Sequence, residues 1–237
     1  MANSGLFIIS APSGSGKSTL VRELFRLVPG LHFSVSYTTR PPRGSEQNGI
    51  EYYFVTREQF QAMIRRGEFL EWAEVFGNFY GTTWGYLEQA RQRGDDLVLD
   101  IDVQGAELVR ERIPDAVGIF ISPPDRRTLE SRLRNRGQDA PEVIERRLQD
   151  ATHEIAAYNK YDYVLVNDRL DDAVEQLWAI VVTERARLRG EAISPDPVEA
   201  ERMQSLAESC RSHHMEERLR PVLQSFGVSN PHPASKR

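Results

Sequence analysis

Short, continuous apolar runs are the first pattern along the chain. Four of them occupy residues 5–10, 97–101, 117–121 and 163–166. Runs of this length are typical of strands buried on both faces of a parallel sheet. Each is followed by a stretch of helical character, which is the alternation expected of a doubly wound α/β fold. A fifth candidate strand is 33–37, so we expect a parallel sheet flanked by helices.

Two segments interrupt this alternation. From residue 35 to residue 90 the chain is rich in aromatic and turn residues around one predicted helix, 58–65, which indicates an inserted lobe of mixed α/β structure. From 123 to 158 the chain is helical and strongly charged with a break at 137–141, which indicates a small helical lid. The aromatic residues of the inserted lobe are Tyr52, Tyr53, Phe54, Phe69, Trp72, Phe76, Phe79, Tyr80 and Trp84.

These patterns predict one domain and a C-terminal extension. The domain spans 1–190, and its core consists of residues 1–34, 91–122 and 159–190. The extension spans 191–237 and is expected to be partly helical or disordered. Two modest amphipathic helices are predicted within it, at 198–210 and 215–226, and the sequence does not indicate what they pack on.

Charge, cysteine content and hydropathy exclude several kinds of partner and site. The 237 residues carry a net charge of -5, whereas proteins that grip nucleic acid along its backbone are more often basic, so we expect no polymeric nucleic acid partner. The single cysteine, Cys210, excludes an intramolecular disulfide and a cysteine-based metal site. No run approaches the ~18 apolar residues of a membrane span. We therefore expect a cytoplasmic protein without a membrane partner.

The segment 10–19 carries the strongest chemical signal. It reads Ser10-Ala-Pro-Ser-Gly-Ser-Gly-Lys-Ser-Thr19, after a predicted strand and before a predicted helix. In this context the glycines let backbone N–H groups surround a phosphate at the positive end of the helix. Lys17 is then placed for the β/γ-phosphate oxygens and the Ser18 hydroxyl for Mg²⁺. Ala11 replaces the usual first glycine, so the match to the general motif is imperfect.

A phosphate loop alone does not distinguish a kinase from a GTPase or a transport ATPase, and a second feature narrows the choice. Arg40 and Arg43 flank a stiff Pro-Pro pair. Guanidinium groups held in this way suit bidentate capture of a terminal phosphate. Tyr52 and Tyr80 can add hydroxyl donors. Solvated surface arginines are the alternative interpretation.

At this point the sequence resembles the guanylate kinase family, from about residue 5 to residue 188. The Ala at position 11 also occurs in bacterial members of that family. The motifs occur in the family's order: Ala11-Pro-Ser-Gly14, Ser36-Tyr-Thr-Thr-Arg-Pro-Pro-Arg43, Asn48-Gly49, Phe69-Leu-Glu-Trp-Ala-Glu-Val-Phe-Gly-Asn-Phe-Tyr-Gly-Thr82 and Leu99-Asp-Ile-Asp-Val-Gln-Gly105.

The resemblance implies a P-loop NTPase-type sheet, an inserted lobe (35–90) that binds the nucleoside monophosphate, and a lid (123–158). It implies transfer of the ATP γ-phosphoryl group to GMP or dGMP with Mg²⁺, in purine nucleotide recycling, by a possible homo-oligomer. The implied ATP-binding residues are Ser13, Gly14, Ser15, Gly16, Lys17, Ser18, Thr19 and, more weakly, Asn167. The implied GMP-binding residues are Ser36, Arg40, Arg43, Tyr52, Glu71, Tyr80, Thr82, Asp100 and Asp102, and the implied metal ligands are Ser18 and Asp100.

The chemistry of Glu71 supports guanine as the base. Guanine presents N1–H and an exocyclic amine side by side, and one carboxylate accepts from both. Adenine has an unprotonated N1 at this edge and would face the carboxylate with a second acceptor. Sites built on such hydrogen bonds discriminate by about 10⁴ or more. A solvated glutamate on an amphipathic strand is the alternative for Glu71.

Phosphoryl transfer to a monophosphate needs positive charge more than a general base. The second pKa of a phosphate monoester is about 6, so the nucleophile is largely a dianion at neutral pH. The resemblance assigns the catalytic charges to Lys17 and to lid arginines Arg132, Arg136 and Arg147. Arg134 and Arg146 should point elsewhere. The five histidines form no catalytic constellation, and the pair at 213–214 suits an exposed tail better than a metal site.

Two other functions remain possible. A guanylate-kinase-like scaffold module would bind phosphorylated peptides without catalysis, but such modules are expected to lack parts of the ATP machinery. A kinase for another monophosphate, such as AMP or dTMP, would share Lys17 but not the base-reading pair Glu71 and Ser36.

Overall fold

A computed structural model describes residues 4–75, 77–135 and 140–229. The chain divides into two compact units. The first comprises the chain up to Ile8 together with Gly30–Val117, and the second comprises Ile9–Pro29 together with the chain from Gly118 onward. Strand β1 (Leu6–Ser10) contributes residues to both.

The first unit holds one side of a five-stranded sheet. Its strands are β2 (Leu31–Phe33), β7 (Asp96–Asp100) and the start of β1, in the order β2-β7-β1. Strand β2 pairs in parallel with β7, with Leu31 opposite Asp96. The Asp96 carboxylate accepts from the Gly5 N–H at 2.7 Å, which anchors the beginning of β1. Helices α3 (Trp84–Arg93) and α4 (Val103–Arg112) complete this part.

The same unit contains a four-stranded sheet with one helix. The strands are β3 (Tyr37–Thr38), β4 (Tyr53–Phe54), β5 (Phe69–Val75) and β6 (Asn78–Thr83), in the order β4-β3-β6-β5. Helix α2 (Arg57–Arg65) begins with a reciprocal capping box between Thr56 and Gln59. It places Phe60 between the rings of Phe69 and Phe79, at centroid distances of 4.4 and 5.3 Å. This aromatic stack is the core of the small sheet.

The predicted strand 33–37 is wrong in one respect, because the structure has two shorter strands there. The Ser34 N–H still donates to the Val98 carbonyl at 3.1 Å, beside β7. By Tyr37 the chain pairs instead with Tyr53 and Gly81 in the other sheet. One short segment of alternating apolar and polar residues therefore contributes to two sheets, and the alternation does not reveal where the pairing partner changes.

The second unit holds the rest of β1 with β8 (Val117–Ser122) and β9 (Tyr163–Val166), in the order β1-β8-β9. Strands β8 and β9 are parallel and every residue in them is buried. The helices are α1 (Lys17–Leu27), α5 (Arg126–Asn135), α6 (Pro141–Ala156) and α7 (Leu170–Arg189). Arg136 and most of the predicted break at 137–141 lie outside the described residues.

Two further helices follow Gly190, which ends α7 in the left-handed conformation. They are α8 (Pro197–Ser209) and α9 (Glu216–Ser225). Asp196 caps α8 by accepting from the Val198 N–H. Helix α8 packs against α7, and α9 packs against α5. Within the described part of the chain, no helix combines the length and the apolar character needed to cross a membrane.

Candidate functional site: a phosphate loop and a buried carboxylate cluster

The phosphate loop depends on two glycines with positive φ. Gly14 has φ 95° and Gly16 has φ 91°, in the region that side chains disfavour. A Cβ on Gly16 would lie 2.4 Å from Asn167 Nδ2, and a Cβ on Gly14 would lie 3.0 Å from the side chain of Leu129. Between them the Ser15 N–H donates to the Pro12 carbonyl at 3.0 Å and closes the turn. The positive φ therefore favours glycine at both positions, and at Gly16 the Asn167 amide also leaves no room for a Cβ.

Helix α1 begins directly after this loop. Its N-cap is Gly16, which provides no side-chain cap for the N–H groups of the first turn. Uncapped N–H groups and the helix dipole make such an end a site for an anion. Lys17 and Thr19 are partly exposed and Ser18 is exposed at this end, while the hydroxyl of Ser15 is buried without a hydrogen-bond partner among the described residues. The loop thus has the local geometry of a phosphate-binding site.

Arg132 and Asn167 converge on the loop at Ser15. Asn167 donates from Nδ2 to the Ser15 carbonyl at 2.7 Å, and Arg132 Nη1 lies 3.5 Å from the same oxygen. Arg132 also donates from Nη2 to the Asn167 carbonyl at 3.1 Å. Ser15 and Arg132 are 117 residues apart in sequence. The fold therefore places one arginine of the predicted lid and the asparagine predicted to bind ATP against the same loop.

The remaining arginines of the predicted lid differ in their surroundings. Arg134, predicted to point elsewhere, is exposed and bound to Glu130 one turn earlier, with Nη2 to Oε1 at 2.6 Å. Arg147 is partly buried on α6, whereas Arg146 beside it is exposed. Arg136 lies outside the described residues.

In the first unit, three of the residues predicted to bind the monophosphate form one cluster. Arg40 is only 7% exposed, its guanidinium lies 5.4 Å from the centroid of the Tyr52 ring, and Tyr80 is near enough to act on its pKa. The rings of Tyr52 and Tyr80 are 5.9 Å apart. Arg43 is exposed at the edge of this cluster. The alternative of a solvated surface arginine is wrong for Arg40 and applies only to Arg43.

Glu46 belongs to this cluster and was not among the predicted residues. Its carboxylate accepts from Arg40 Nη2 at 2.9 Å and from the backbone N–H of Arg43 at 2.8 Å. Burial acts to raise the pKa of Glu46, but these donors outweigh it and hold that pKa below its ordinary value. The sequence signal was weak, because a glutamate three residues after Arg43 in a polar loop is unremarkable.

A second cluster in the same unit contains Ser36, Glu71 and Thr82. Glu71 on β5 lies opposite Thr82 on β6, and the side chain and backbone of Thr82 both act to lower the pKa of the Glu71 carboxyl. The Thr82 and Ser36 hydroxyl oxygens are 3.3 Å apart. Glu71 is 4% exposed and Thr82 is fully buried. The alternative of a solvated strand glutamate is therefore wrong for Glu71.

Burial changes the ionisation of Glu71. Loss of hydration raises the pKa of this carboxyl to about 7, and the nearby charge of Asp102 acts in the same direction. The polar groups of Thr82 and the charge of Arg112 act in the opposite direction but are outweighed. A buried carboxyl group whose pKa lies near 7 is stabilised in its ionised form by a ligand that donates hydrogen bonds to it.

Helix α4 supports this carboxylate. Asp102 caps the helix by accepting from the Gly105 N–H at 2.8 Å. A Cβ on Gly105 would lie 3.1 Å from Glu71 Oε2, so glycine leaves room for the carboxylate. Arg112 at the other end of α4 donates to the carbonyls of Phe69 and Leu70, immediately before Glu71. Gly105 appeared only within a family motif and Arg112 was not predicted, because neither has a local signal for its contact with β5.

The residues predicted to hold Mg²⁺ offer the right kind of donor. Ser18 presents an exposed hydroxyl in the first turn of α1, and Asp100 presents a partly buried carboxylate at the end of β7. Oxygen donors of this kind suit Mg²⁺. Elsewhere among the described residues, Glu208, His213 and His214 offer ligand atoms within 4.8 Å of one another, but all three are exposed. The histidine pair therefore matches the expectation of an exposed pair.

Comparisons with known proteins identify the family of the chain. The sequence model of guanylate kinase matches residues 3–184. A guanylate kinase of Koribacter versatilis is 56% identical over 232 residues, covering 96% of this chain and 98% of that protein. One from Alkalilimnicola ehrlichii is 47% identical over 201 residues, covering 85% and 97%. A crystal structure of guanylate kinase from Anaplasma phagocytophilum superposes with TM-score 0.65 at 34% identity, covering 79% of this chain and 90% of that one. The chain belongs to the guanylate kinase family.

Proposed function

We propose that this protein transfers the γ-phosphoryl group of ATP to GMP or dGMP, giving ADP and GDP or dGDP. The observation that carries the proposal is the buried cluster of Glu71, Ser36 and Thr82 in a chain that also has a phosphate loop with Gly14 and Gly16 at positive φ. A carboxylate in this setting pairs with N1–H and the exocyclic amine of guanine. The names of the relatives support the same activity.

On the ATP side, the loop backbone and Lys17 would hold the β- and γ-phosphates at the start of α1. Arg132 and Arg147 would add positive charge to the transferring group, and so would Arg136. The contacts of Arg132 and Asn167 with Ser15 support this assignment, because they hold both side chains against the loop. The full set assigned to ATP is Ser13, Gly14, Ser15, Gly16, Lys17, Ser18, Thr19 and Asn167.

On the GMP side, Arg40, Tyr52 and Tyr80 would bind the phosphate together with Arg43. Glu46 currently accepts from Arg40, so the phosphate dianion would share or replace this carboxylate as the partner of the guanidinium. Ser36, Glu71 and Thr82 would bind the base. Asp100 and Asp102 complete the proposed site.

Ser18 and Asp100 would hold Mg²⁺, which when bound neutralises charge on the phosphate oxygens. The chain's own residues position the two nucleotides, exclude water and supply fixed cations. The acceptor phosphate is already ionised at neutral pH, so no side chain is assigned as general base. We further propose that residues 35–90 form the GMP-binding lobe, 123–158 the lid and 191–237 an extension.

The direct test is turnover with a panel of acceptors. With ATP and Mg²⁺, ADP release should occur with GMP and dGMP and be negligible with AMP, CMP and dTMP. Turnover with AMP or dTMP equal to that with GMP would overturn the base assignment. A folded protein that binds ATP but phosphorylates none of these acceptors would favour the non-catalytic scaffold function.

Replacing Gly105 with alanine should raise the KM for GMP about tenfold, since the new Cβ would lie 3.1 Å from Glu71 Oε2 and displace the carboxylate. The KM for ATP should not change. Alanine is favoured over glycine within a helix by about 1 kcal/mol, so loss of stability should not accompany the effect.

The matched control for this change is Gly85→Ala. Gly85 is also near the start of a helix, α3, but the nearest atom to its added Cβ is Thr83 Oγ1 at an ordinary 3.8 Å. Steady-state kinetics of the two variants with GMP as the varied substrate make the comparison. Equal KM values for GMP in both would contradict the proposed role of Glu71.

A further inference from the structure

The segment after Gly190 is outside the part matched by the family model and has no part in the proposed reaction. It nevertheless extends the sheet at the edge of β9. The Val164 N–H donates to the Cys210 carbonyl at 2.8 Å, and the Ser212 N–H donates to the Asp162 carbonyl at 3.0 Å. Tyr163 and Arg211 form the antiparallel bridge between these bonds. Residues 210–212 therefore occupy a strand edge that would otherwise need another partner.

Side chains reinforce this attachment around Glu184 on α7, which is 2% exposed. Its carboxylate accepts from Arg211 Nη2 at 3.0 Å, from Arg187 Nε at 2.7 Å and from the Tyr163 hydroxyl. The Arg211 guanidinium also lies 4.2 Å from the centroid of the Tyr163 ring. A buried carboxylate depends on such donors, so Arg211 ties the extension to β9 and to α7 together.

The extension makes a second attachment at the beginning of α5. The Ser225 hydroxyl, at the end of α9, accepts from the backbone N–H of Arg126 at 3.0 Å. Arg126 is the first residue of α5, and N–H groups of a first helical turn have no partner within the helix. The Asp125 side chain takes the Thr128 N–H of the same turn. Ser225 thus supplies part of the N-terminal cap of α5 from a distant part of the chain.

Both attachments are made to elements that carry side chains in contact with the phosphate loop. Strand β9 runs directly into Asn167, and α5 carries Arg132. These two side chains meet at the Ser15 carbonyl. We propose that the extension, residues 191–229, is a positioning element for the ATP-binding half of the site: it holds β9 and α5 so that Asn167 and Arg132 stay against the loop. This inference rests on the proposed function for the roles of those two residues.

The test uses the full chain, because deletion of the extension would remove α8 and α9 and uncover the surfaces of α7 and α5 on which they pack. In Ser225→Ala, kcat/KM for ATP should fall about threefold to tenfold, the effect of losing one hydrogen bond of ordinary strength. The KM for GMP should stay unchanged. Hydrogen exchange should become faster in the first turn of α5, and Ser225→Thr should restore the wild-type values.

Two controls and a second variant make the result specific. Ser194→Ala removes the same group before α8, where the hydroxyl donates to Glu199 and accepts from the Asp196 N–H, and should change nothing. Arg211→Met tests the β9 attachment and should also lower kcat/KM for ATP. Its control, Arg202→Met, breaks only an exposed pair with Glu175.

The outcomes distinguish failure of the positioning role of the extension from failure of the proposed kinase activity. The inference is overturned if Ser225→Ala and Arg211→Met match their controls in both kinetics and exchange. It is also overturned if they weaken ATP and GMP parameters equally together with the melting temperature, which is the result of a purely structural role. If Ser225→Ala does not fold, the comparison of Arg211→Met with Arg202→Met decides. Absence of GDP formation by the wild type would instead reject the proposed function.

Discussion

Replacing Arg132 with methionine should lower kcat by about 10²- to 10³-fold, the usual effect of removing one charge that stabilises a transferring phosphoryl group. The guanidinium is held by the carbonyls of Ser15 and Asn167, so it is positioned at the loop before ATP binds. Methionine keeps much of the apolar stem and removes only the charge and the donors. The KM for GMP should change little. Initial rates of ADP release at saturating ATP and GMP measure the effect.

The matched control is Arg134→Met. Arg134 is two residues further along the same helix, is exposed, and is bound to Glu130. An exposed pair of this kind contributes about 0.3–0.5 kcal/mol, so the control should keep wild-type kcat and nearly wild-type stability. Equal losses of kcat in the two variants would show that general disturbance of α5 causes the effect. No loss in Arg132→Met would remove Arg132 from the proposed catalytic set.

Replacing Glu71 with glutamine should lower the preference for GMP over AMP in kcat/KM by about 10²-fold or more, because the amide cannot accept from both guanine donors through two oxygens. The KM for ATP should remain unchanged. Glu74→Gln is the matched control, since Glu74 lies on the same strand but is exposed and pairs with Arg57. Unchanged selectivity in Glu71→Gln would contradict the assignment of this residue to the base.

The same substitution should stabilise the fold in a pH-dependent way. The pKa of Glu71 is raised by burial from 4.5 to about 7, so between these values the folded chain keeps a proton that the unfolded chain has released. The free energy of unfolding of the wild type should therefore fall as pH rises through this window, by about 3 kcal/mol in total at 1.36 kcal/mol per pKa unit. The free energy of unfolding of Glu71→Gln should not fall in this way, because glutamine does not ionise.

Urea unfolding at two pH values measures that difference. Glu71→Gln should be more stable than the wild type by about 2–3 kcal/mol at pH 8, and the two should be nearly equal near pH 4.5. Glu74→Gln should follow the wild type at both values. Parallel curves for the wild type and Glu71→Gln would show that Glu71 is ionised in the folded protein across the whole range.

The substitutions at Glu71 and Gly105 both test the buried carboxylate, one by changing the group itself and the other by filling the space beside it. The buried carboxylate costs stability when ionised, and helix α4 keeps room for it by having no side chain at Gly105. A residue that is present because it binds a ligand is expected to lower the stability of the fold in this way. A variant that gains stability and loses guanine selectivity would therefore support the proposed function on two independent measurements.

The sequence by itself determined the phosphate loop and the class of the fold. Ten contiguous residues contain the loop, and the positive φ values of Gly14 and Gly16 are a local property that the amino-acid types already indicate. The buried runs of β1, β7, β8 and β9 were recognisable because a strand covered on both faces is apolar throughout. The family motifs then indicated the fold and the family, both confirmed by the comparisons.

Only the tertiary structure decided which distant residues meet. The contacts of Arg132 with Ser15, of Glu71 with Gly105 and of Ser225 with Arg126 join positions that are far apart in sequence. Their hydrogen bonds form when the chain closes long loops, and no local propensity or spacing records them. For the same reason the division of 33–37 between two sheets, the partner of Arg40 at Glu46 and the packing of the C-terminal helices appear in the structure alone.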